Sequence, residues 1–304
     1  MFRGMISVCI PIFNYDMRET VERLSRQAAT SPVEVEIVCI DDCSDQYFRS
    51  LNRSIASMVK YVELPSNVGR ARIRNLFLQY ARYQYLLFLD CDSLIPDGFI
   101  EHYVALMDGN PEVVCGGRIY DSASNDLAHR LRYTYGIQCE SKDANERRKH
   151  PYRSFMTNNF MVRRDVLEAV PFDESIQLYG HEDTLFGYRL MQRGVTVTHV
   201  ENPVVNGDVE LNEVFLDKTR EGVSSLSEIY NRLGDDEEFV SQVSLLSFYE
   251  KVHRLHLDWA VLWPYRLLKN WLESGFESGH RVGMRLFAFY KLGFFIQKQH
   301  DKNV

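Results

Sequence analysis

No glycine follows the first β-like run of this 304-residue chain, where residues 10–14 read Ile-Pro-Ile-Phe-Asn. A sugar-phosphate nucleotidyltransferase would need a glycine-rich phosphate loop there, and a dinucleotide-dependent oxidoreductase a GxGxxG turn, so both rank low. The six cysteines (Cys9, Cys39, Cys43, Cys91, Cys115 and Cys139) form no CxxC pair and no metal-ligand spacing. Several lie within apolar runs, where cysteine acts as a small buried hydrophobe, and reduced thiols are expected. No apolar run approaches bilayer length. The N-terminal Met-Phe-Arg-Gly-Met leads straight into a strand, so a cytoplasmic protein without a secretory leader is expected. Surplus positive charge is also missing. A net charge of -7 excludes indiscriminate nucleic-acid binding. There is no internal repeat and no low-complexity segment.

What is present is ordinary globular material, 45% hydrophobic and 25% charged. The length suits one large α/β domain with an accessory segment. Charge is unevenly spread. Residues 281–304 carry five bases (Arg281, Arg285, Lys291, Lys298, Lys302) against Asp301 alone, a +4 tail on a remainder of -11. Such asymmetry suggests an anionic surface as the tail's partner.

Short β-rich runs alternate with helical patterns through the first half. Strands are expected at 6–12, 35–40, 60–64, 85–89 and 113–115, with helical stretches at 17–29, 45–58, 70–82 and 96–107. This alternation predicts a mostly parallel sheet flanked by helices, with ligands beyond the carboxyl ends of its strands. Residues 139–153 read as a polar, mobile loop. A strand pattern resumes at 155–162, a short helix at 164–170, a helix at 182–193 closed by Gly194, and a strand at 196–200. From Leu211 onward the pattern is helical, with a break at 234–238. We expect a domain over 1–210 and a helical region over 211–304.

The strand ends concentrate polar groups. Asn14 follows the first strand, Asp41 and Asp42 the second, Asn67 the third, and Asp90 and Asp92 the fourth. Asp90-Cys91-Asp92 offers hard oxygen ligands suited to Mg²⁺ or Mn²⁺, though a capping and a turn aspartate would read the same. Asp41 and Asp42 repel each other unless something donates hydrogen bonds to them, as a nucleobase N–H or ribose hydroxyls would. One of the two could instead cap the next helix. In residues 67–75, Gly69 permits close backbone approach, and the helix behind it aims free N–H groups forward. Arg70, Arg72 and Arg74 add charge suited to a pyrophosphate; a solvated face explains Arg70 better than Arg74. His181-Glu182-Asp183 opens a helix after Gly180. Helix-dipole stabilisation accounts for Glu182, and a general base on an incoming hydroxyl is the functional reading of Asp183.

Taken in order, these residues resemble the inverting family 2 glycosyltransferases of GT-A fold over roughly residues 7–211. The motifs are Pro11-Ile12-Phe13-Asn14, residues 40–45, Asn67-x-Gly69 through Arg74-Asn75, Asp90-x-Asp92, Asn158-Asn159-Phe160 and Glu182-Asp183. The resemblance implies a donor site of Pro11, Phe13, Asn14, Asp41, Asp42, Asn67, Gly69, Arg74, Asp90, Cys91 and Asn159. It implies a divalent metal on Asp92, Asp183 as catalytic base beside Glu182, a nucleotide-sugar donor, and a glycan or lipid-linked saccharide acceptor. The family often has a histidine ligand in a stretch like residues 202–206, where this chain has Asn206. Asn206 or His199 are alternative ligands, and Asp92 with the phosphates is the preferred expectation. A nucleotide-sugar-binding relative without turnover is the non-enzymatic alternative that Asn206 keeps open. Residues 116–118 and the strand around Asn158 and Asn159 are expected to set donor choice. The C-terminal aromatics Trp259, Trp263, Tyr265, Trp271, Phe287, Phe289, Tyr290, Phe294 and Phe295, set among cations, suggest amphipathic helices. They fit peripheral contact with the inner face of the plasma membrane as well as core packing.

Overall fold

The computed structural model describes residues 5–234 and 236–302. The chain runs β1 (Ile6–Ile12), α1 (Arg18–Ala29), β2 (Val35–Asp41), α2 (Gln46–Asn52), β3 (Lys60–Glu63), α3 (Arg70–Tyr80) and β4 (Tyr85–Leu89). Then follow β5 (Ser93–Leu94), α4 (Phe99–Leu106), β6 (Val113–Cys115), β7 (Arg118–Tyr120), α5 (Arg130–Tyr135), α6 (Ala144–Arg148), β8 (Asn159–Arg163) and α7 (Arg164–Ala169). The remainder is α8 (Glu182–Gln192), β9 (Val197–His199), β10 (Val204–Asn206), α9 (Asn212–Leu233), α10 (Glu237–Gln242), α11 (Ser244–Arg254), α12 (Asp258–Glu277) and α13 (Met284–Lys302). It forms two compact units. The first comprises Met1–Ile119, Ser141–Gln177 and Leu185–Asp208; the second comprises Tyr120–Glu140, Leu178–Thr184 and Val209–Val304.

The first unit is built on a seven-stranded sheet of order β3-β2-β1-β4-β8-β6-β9. Its strands are apolar on both faces, as a sheet sandwiched between helices requires. Side-chain alternation divides them cleanly. Cys9, Val38, Ile40, Leu86 and Phe88 face Phe77, Leu167 and Leu190, while Val8, Ile10, Cys39, Leu87 and Leu89 face Val21, Leu24, Phe99 and Tyr103. β1, β2, β3 and β4 are mutually parallel, and β8 enters antiparallel between β4 and β6. The order 3-2-1-4 reverses direction between β1 and β4, the switch point where open α/β sheets bind ligands. Pro11 shapes that crevice. Lacking an N–H, it cannot extend the β1–β4 ladder, which ends at Cys9 opposite Phe88. A small second sheet, β5-β10-β7, follows on the carboxyl side of β4.

The second unit is helical. Leu216, Val223 and Leu226 of α9, Leu262, Tyr265 and Phe276 of α12, and Phe287, Tyr290 and Phe295 of α13 form its buried interior. Phe276 meets Phe287 edge-on at 5.3 Å between centroids. Gly293 passes so close to the Tyr265 ring that a Cβ there would stand 2.3 Å from it. The α13 aromatics Phe287, Tyr290 and Phe295 are thus core, not a membrane face. Residues 139–153 are not a loop either: they contain α6, whose Arg147 is buried. No helix among the described residues is long and apolar enough to cross a membrane.

Candidate functional site

Four strand ends build a rim on the first unit. Just past β1, Asn14 adopts a left-handed φ of 51° and bridges to the loop after β2: its N–H donates to Ser44 Oγ (2.9 Å), and its Oδ1 accepts from the Asp45 N–H (2.7 Å). Asparagine tolerates this conformation better than most residues.

The two aspartates after β2 are satisfied from within. Asp41 is wholly enclosed, its oxygens accepting from the Ser44 N–H (2.7 Å) and the Tyr61 hydroxyl (3.1 Å). Asp42 accepts the N–H groups of Val68 (2.7 Å) and Gly69 (3.1 Å). Burial pushes the Asp42 carboxyl above its usual range, with the Asp41 charge adding to the rise against those two hydrogen bonds. The donors that the sequence led us to seek in a ligand are therefore the chain's own. The amides expected to lie free ahead of α3 are likewise partly spent, since the Gly69 N–H at its N-cap is held by Asp42. Asn67 secures the same turn through Nδ2 on the Asp42 carbonyl (3.2 Å).

Arg74 is not a surface cation. Buried along α3, it donates from Nη1 to the Arg70 carbonyl (3.0 Å) and from Nη2 to Asp90 Oδ1 (3.0 Å), with its guanidinium 5.8 Å from the centre of the Phe172 ring. Asp90 Oδ2 lies 3.6 Å from Arg118 Nη2, and the same nitrogen is 3.6 Å from Asp92 Oδ1. Arg118 thus bridges the two acids. Burial alone would raise the Asp90 carboxyl, but Arg74, Arg118 and Arg70 outweigh it and hold the group below its usual range. Cys91 between the acids is pushed up to about 12 by burial and by both carboxylates, so it stays a thiol. Tyr15 is raised to about 12 by burial first and by the Asp92 charge next.

The backbone carries Asp92 toward β10. The Gly207 N–H donates to the Asp92 carbonyl (2.8 Å), and Asn206 pairs with Ser93 across the β5–β10 ladder. An open cleft of about 1060 Å³ is lined by Asn14, Tyr15, Phe48, Gly207 and Asp208 among others. Phe13 beside it is half exposed. The Asp92 side chain keeps 30% of its surface in solvent. Asn158 Nδ2 nearby is buried without a hydrogen-bond partner among the described residues, although its carbonyl accepts from the Asp90 N–H (3.0 Å).

Two residues proposed from sequence lie elsewhere in their chemistry. Asn159 is enclosed, with Nδ2 on the carbonyls of Gly117 (3.0 Å) and Asn202 (2.8 Å) and Oδ1 accepting from Tyr103 (2.6 Å). It shapes the turn after β6 and offers nothing to a donor. His199 has Nδ1 against Arg147 Nη1 (3.1 Å) and Nε2 on the Pro151 carbonyl (2.8 Å). Burial, aided by Arg147 and Arg148, holds it near pKa 4. Both ring nitrogens are engaged beside a cation, so His199 is not a metal ligand.

Sequence reasoning passed over Arg118 as a carboxylate partner, and over Arg147. The guanidinium of Arg147 donates to the carbonyls of Cys115 (3.1 Å), Gly116 (3.0 Å) and Val200 (2.7 Å). Gly117, at φ 95°, lies over it; a Cβ there would stand 2.7 Å from Arg147 Nη2. Two acids one residue apart at a buried strand end are themselves a cue to look for a cation such as Arg118.

Asp183 and Glu182 open α8 in the segment Leu178–Thr184 of the second unit. Glu182 is buried, whereas Asp183 is half-buried and accepts from the Thr184 N–H (2.7 Å). His181 before them has φ 67°, and burial holds its imidazole down to about 4, neutral at pH 7.

Hard oxygen donors are present for a divalent ion, but few. No group of three histidine, cysteine, aspartate or glutamate side chains among the described residues could hold one. The Asn206 amide oxygen already accepts the Asp208 N–H (3.2 Å) on a buried side chain, which leaves the partly exposed Asp92 carboxylate as the oxygen donor for an ion whose other ligands are phosphate oxygens and water, the usual habit of Mg²⁺.

The family model "Glycosyl transferase family 2" matches residues 7–170. Among curated proteins, chondroitin synthase of Pasteurella multocida (strain Pm70) is 27% identical over 224 residues, 62% of this chain but 23% of that protein. Chondroitin synthase of Escherichia coli is 24% identical over 64% of this chain and 33% of its own length. The chain thus spans a third or less of these relatives. Among solved structures, the mannosyltransferase PcManGT from Pyrobaculum calidifontis, in complex with GDP-Man and Mn²⁺, matches with a TM-score of 0.61 at 15% identity, covering 100% of this chain and 88% of that one.

Proposed function

The chain belongs to glycosyl transferase family 2 and has the GT-A fold, and from that premise we propose that it moves a sugar from a UDP-sugar to a hydroxyl of a glycan or lipid-linked acceptor with inversion. The observation that carries this reading is the acid pair Asp90 and Asp92 at the end of β4, beside the switch point and shared by one guanidinium. Pro11, Phe13, Asn14, Asn67, Gly69 and Cys91 would form the nucleoside side of the donor site. Asp90, fixed by Arg74, would take the ribose hydroxyls. Asp41, Asp42 and Asn159 would act behind them by holding the loops in shape. Residues 211–304 would serve the acceptor side.

Asp92, together with phosphate oxygens of the donor, would hold a divalent ion, Mn²⁺ or Mg²⁺. When bound, that ion offsets charge on the departing diphosphate. Asp183 would take the proton of the acceptor hydroxyl. The acceptor oxygen bonds to the anomeric carbon as the bond from that carbon to phosphate breaks, so the configuration inverts and UDP leaves. The donor sugar is a hexose or N-acetylhexosamine.

The test is UDP release from a panel of UDP-sugars with and without Mn²⁺. Slow metal-dependent hydrolysis, accelerated by a glycan acceptor, is expected. In Asp92→Ala the affinity for UDP in Mn²⁺ should fall at least tenfold; an unaltered affinity removes Asp92 from the metal site.

A further inference from the structure

All three tryptophans of the chain, Trp259, Trp263 and Trp271, lie on α12, and all three face outward. Together with Leu267 they stand at intervals of four residues, one stripe along the helix. Their exposures are high: 63% for Trp259, 66% for Trp263, 75% for Leu267 and 47% for Trp271. The opposite face, with Leu262, Tyr265, Leu272 and Phe276, supplies the core of the second unit. Core packing therefore explains one face of α12 and leaves the tryptophan face unexplained. Ordinary surfaces carry scattered leucines, not aligned indoles.

We propose that this face of α12 docks in the headgroup region of an anionic lipid bilayer. Indole is the side chain best suited to that layer, having an apolar body and one N–H that can stay wet. The charges agree. Two of the helix's acids are drawn inward: Asp258 pairs with His253 (2.9 Å), and Glu273 accepts from Tyr290 (2.7 Å) and pairs with Arg220 (2.9 Å). Arg266 is exposed on the flank of the stripe and forms no ion pair among the described residues, and Arg281 stacks over the Trp271 ring at 4.1 Å. The surface beside the stripe is therefore cationic, with Glu277 as the exposed acid of the helix. A second copy of the chain fits less well. With roughly 200 Å² per indole, the stripe offers about 450 Å², short of the roughly 800 Å² per partner of a stable interface. Such a helix lies on a membrane and does not cross it.

Because no tryptophan lies elsewhere, indole emission reports on this face alone. The experiment mixes the full chain with vesicles of phosphatidylcholine plus phosphatidylglycerol, or phosphatidylcholine only, and follows emission and co-sedimentation. A blue shift and partitioning at least tenfold stronger with phosphatidylglycerol are expected. Each cation near such a surface contributes about fivefold, so Arg266→Gln should weaken partitioning roughly fivefold. Trp263→Ala should cost about tenfold. These exposed substitutions leave the acid pair untouched, and unchanged UDP binding shows that the protein is intact. Absence of a blue shift, or equal partitioning into both vesicles, overturns the proposal. So does a vesicle-free dimer in light scattering that Trp263→Ala dissolves, which would assign the stripe to self-association.

Discussion

Replacing Arg74 with methionine tests how the acid pair is kept ionised. Methionine keeps the apolar stem but removes the guanidinium, and with it the bond to Asp90 Oδ1 (3.0 Å), the bond to the Arg70 carbonyl (3.0 Å) and the contact with the Phe172 ring. Removing one partner of a buried ion pair costs about 3–5 kcal/mol, because the other charge is left uncompensated. Asp90 would retain Arg118 at 3.6 Å, which places the expected loss near 3 kcal/mol. Urea unfolding followed by circular dichroism measures it in the first unit, which contains no tryptophan. The decisive comparison is a double-mutant cycle with Asp90→Asn, in which a coupling of at least about 1.5 kcal/mol is expected. The pH dependence has a fixed sign. Asp90 has a depressed folded-state pKa, so its stabilisation is whole above the ordinary value of 3.8 and vanishes as pH falls through the lower folded value. The gap between wild type and Arg74→Met should close over that window. Additive single effects, within about 0.5 kcal/mol, would refute the pairing argument.

Asp183→Asn should leave UDP affinity within about twofold yet lower transfer at least a hundredfold, the usual range for a general base; transfer at the wild-type rate removes Asp183 from that role. Gly117→Ala should destabilise by roughly 2 kcal/mol, since φ is 95° and the new Cβ would meet a guanidinium held by three carbonyls, a cost readable by denaturant titration. His199 is fully enclosed with its pKa near 4 against an ordinary 6.5. Above pH 6.5 it is neutral folded and unfolded; between 6.5 and 4 only the unfolded chain takes the proton, so stability falls with acidity by up to about 3 kcal/mol. His199→Gln should lessen that slope, leaving the share carried by His181, which is likewise held near 4, and an unchanged slope would show that other groups set it.

Much of this was legible beforehand because β1, β2 and β4 are apolar on both faces and end abruptly in acids or amides. A run such as Tyr-Leu-Leu-Phe-Leu before Asp90 has few other readings. The direction of β8 was not legible, since its residues would suit either orientation. Arg147 was hidden for a different reason: its partners are backbone carbonyls, which any residue carries, and the surrounding Glu-Arg-Arg-Lys looks solvated. The need of Asp41 and Asp42 for donors was read correctly, but local amides and Tyr61 met it. The aromatic C-terminus could be divided between core and surface only once α12 and α13 had packed.

Where β6 ends and β7 begins, the Arg147 guanidinium ties the carbonyls of Cys115 and Gly116 to that of Val200 just past β9, three acceptors in all. Arginine keeps its proton at any pH a cell meets, and its flat fork presents several N–H groups at once. Acid therefore cannot unlatch this corner by titrating the latch itself. Lysine, with one nitrogen to spread over three acceptors, would be a poor replacement, so the position should tolerate no other natural side chain without loosening the strand that delivers Arg118.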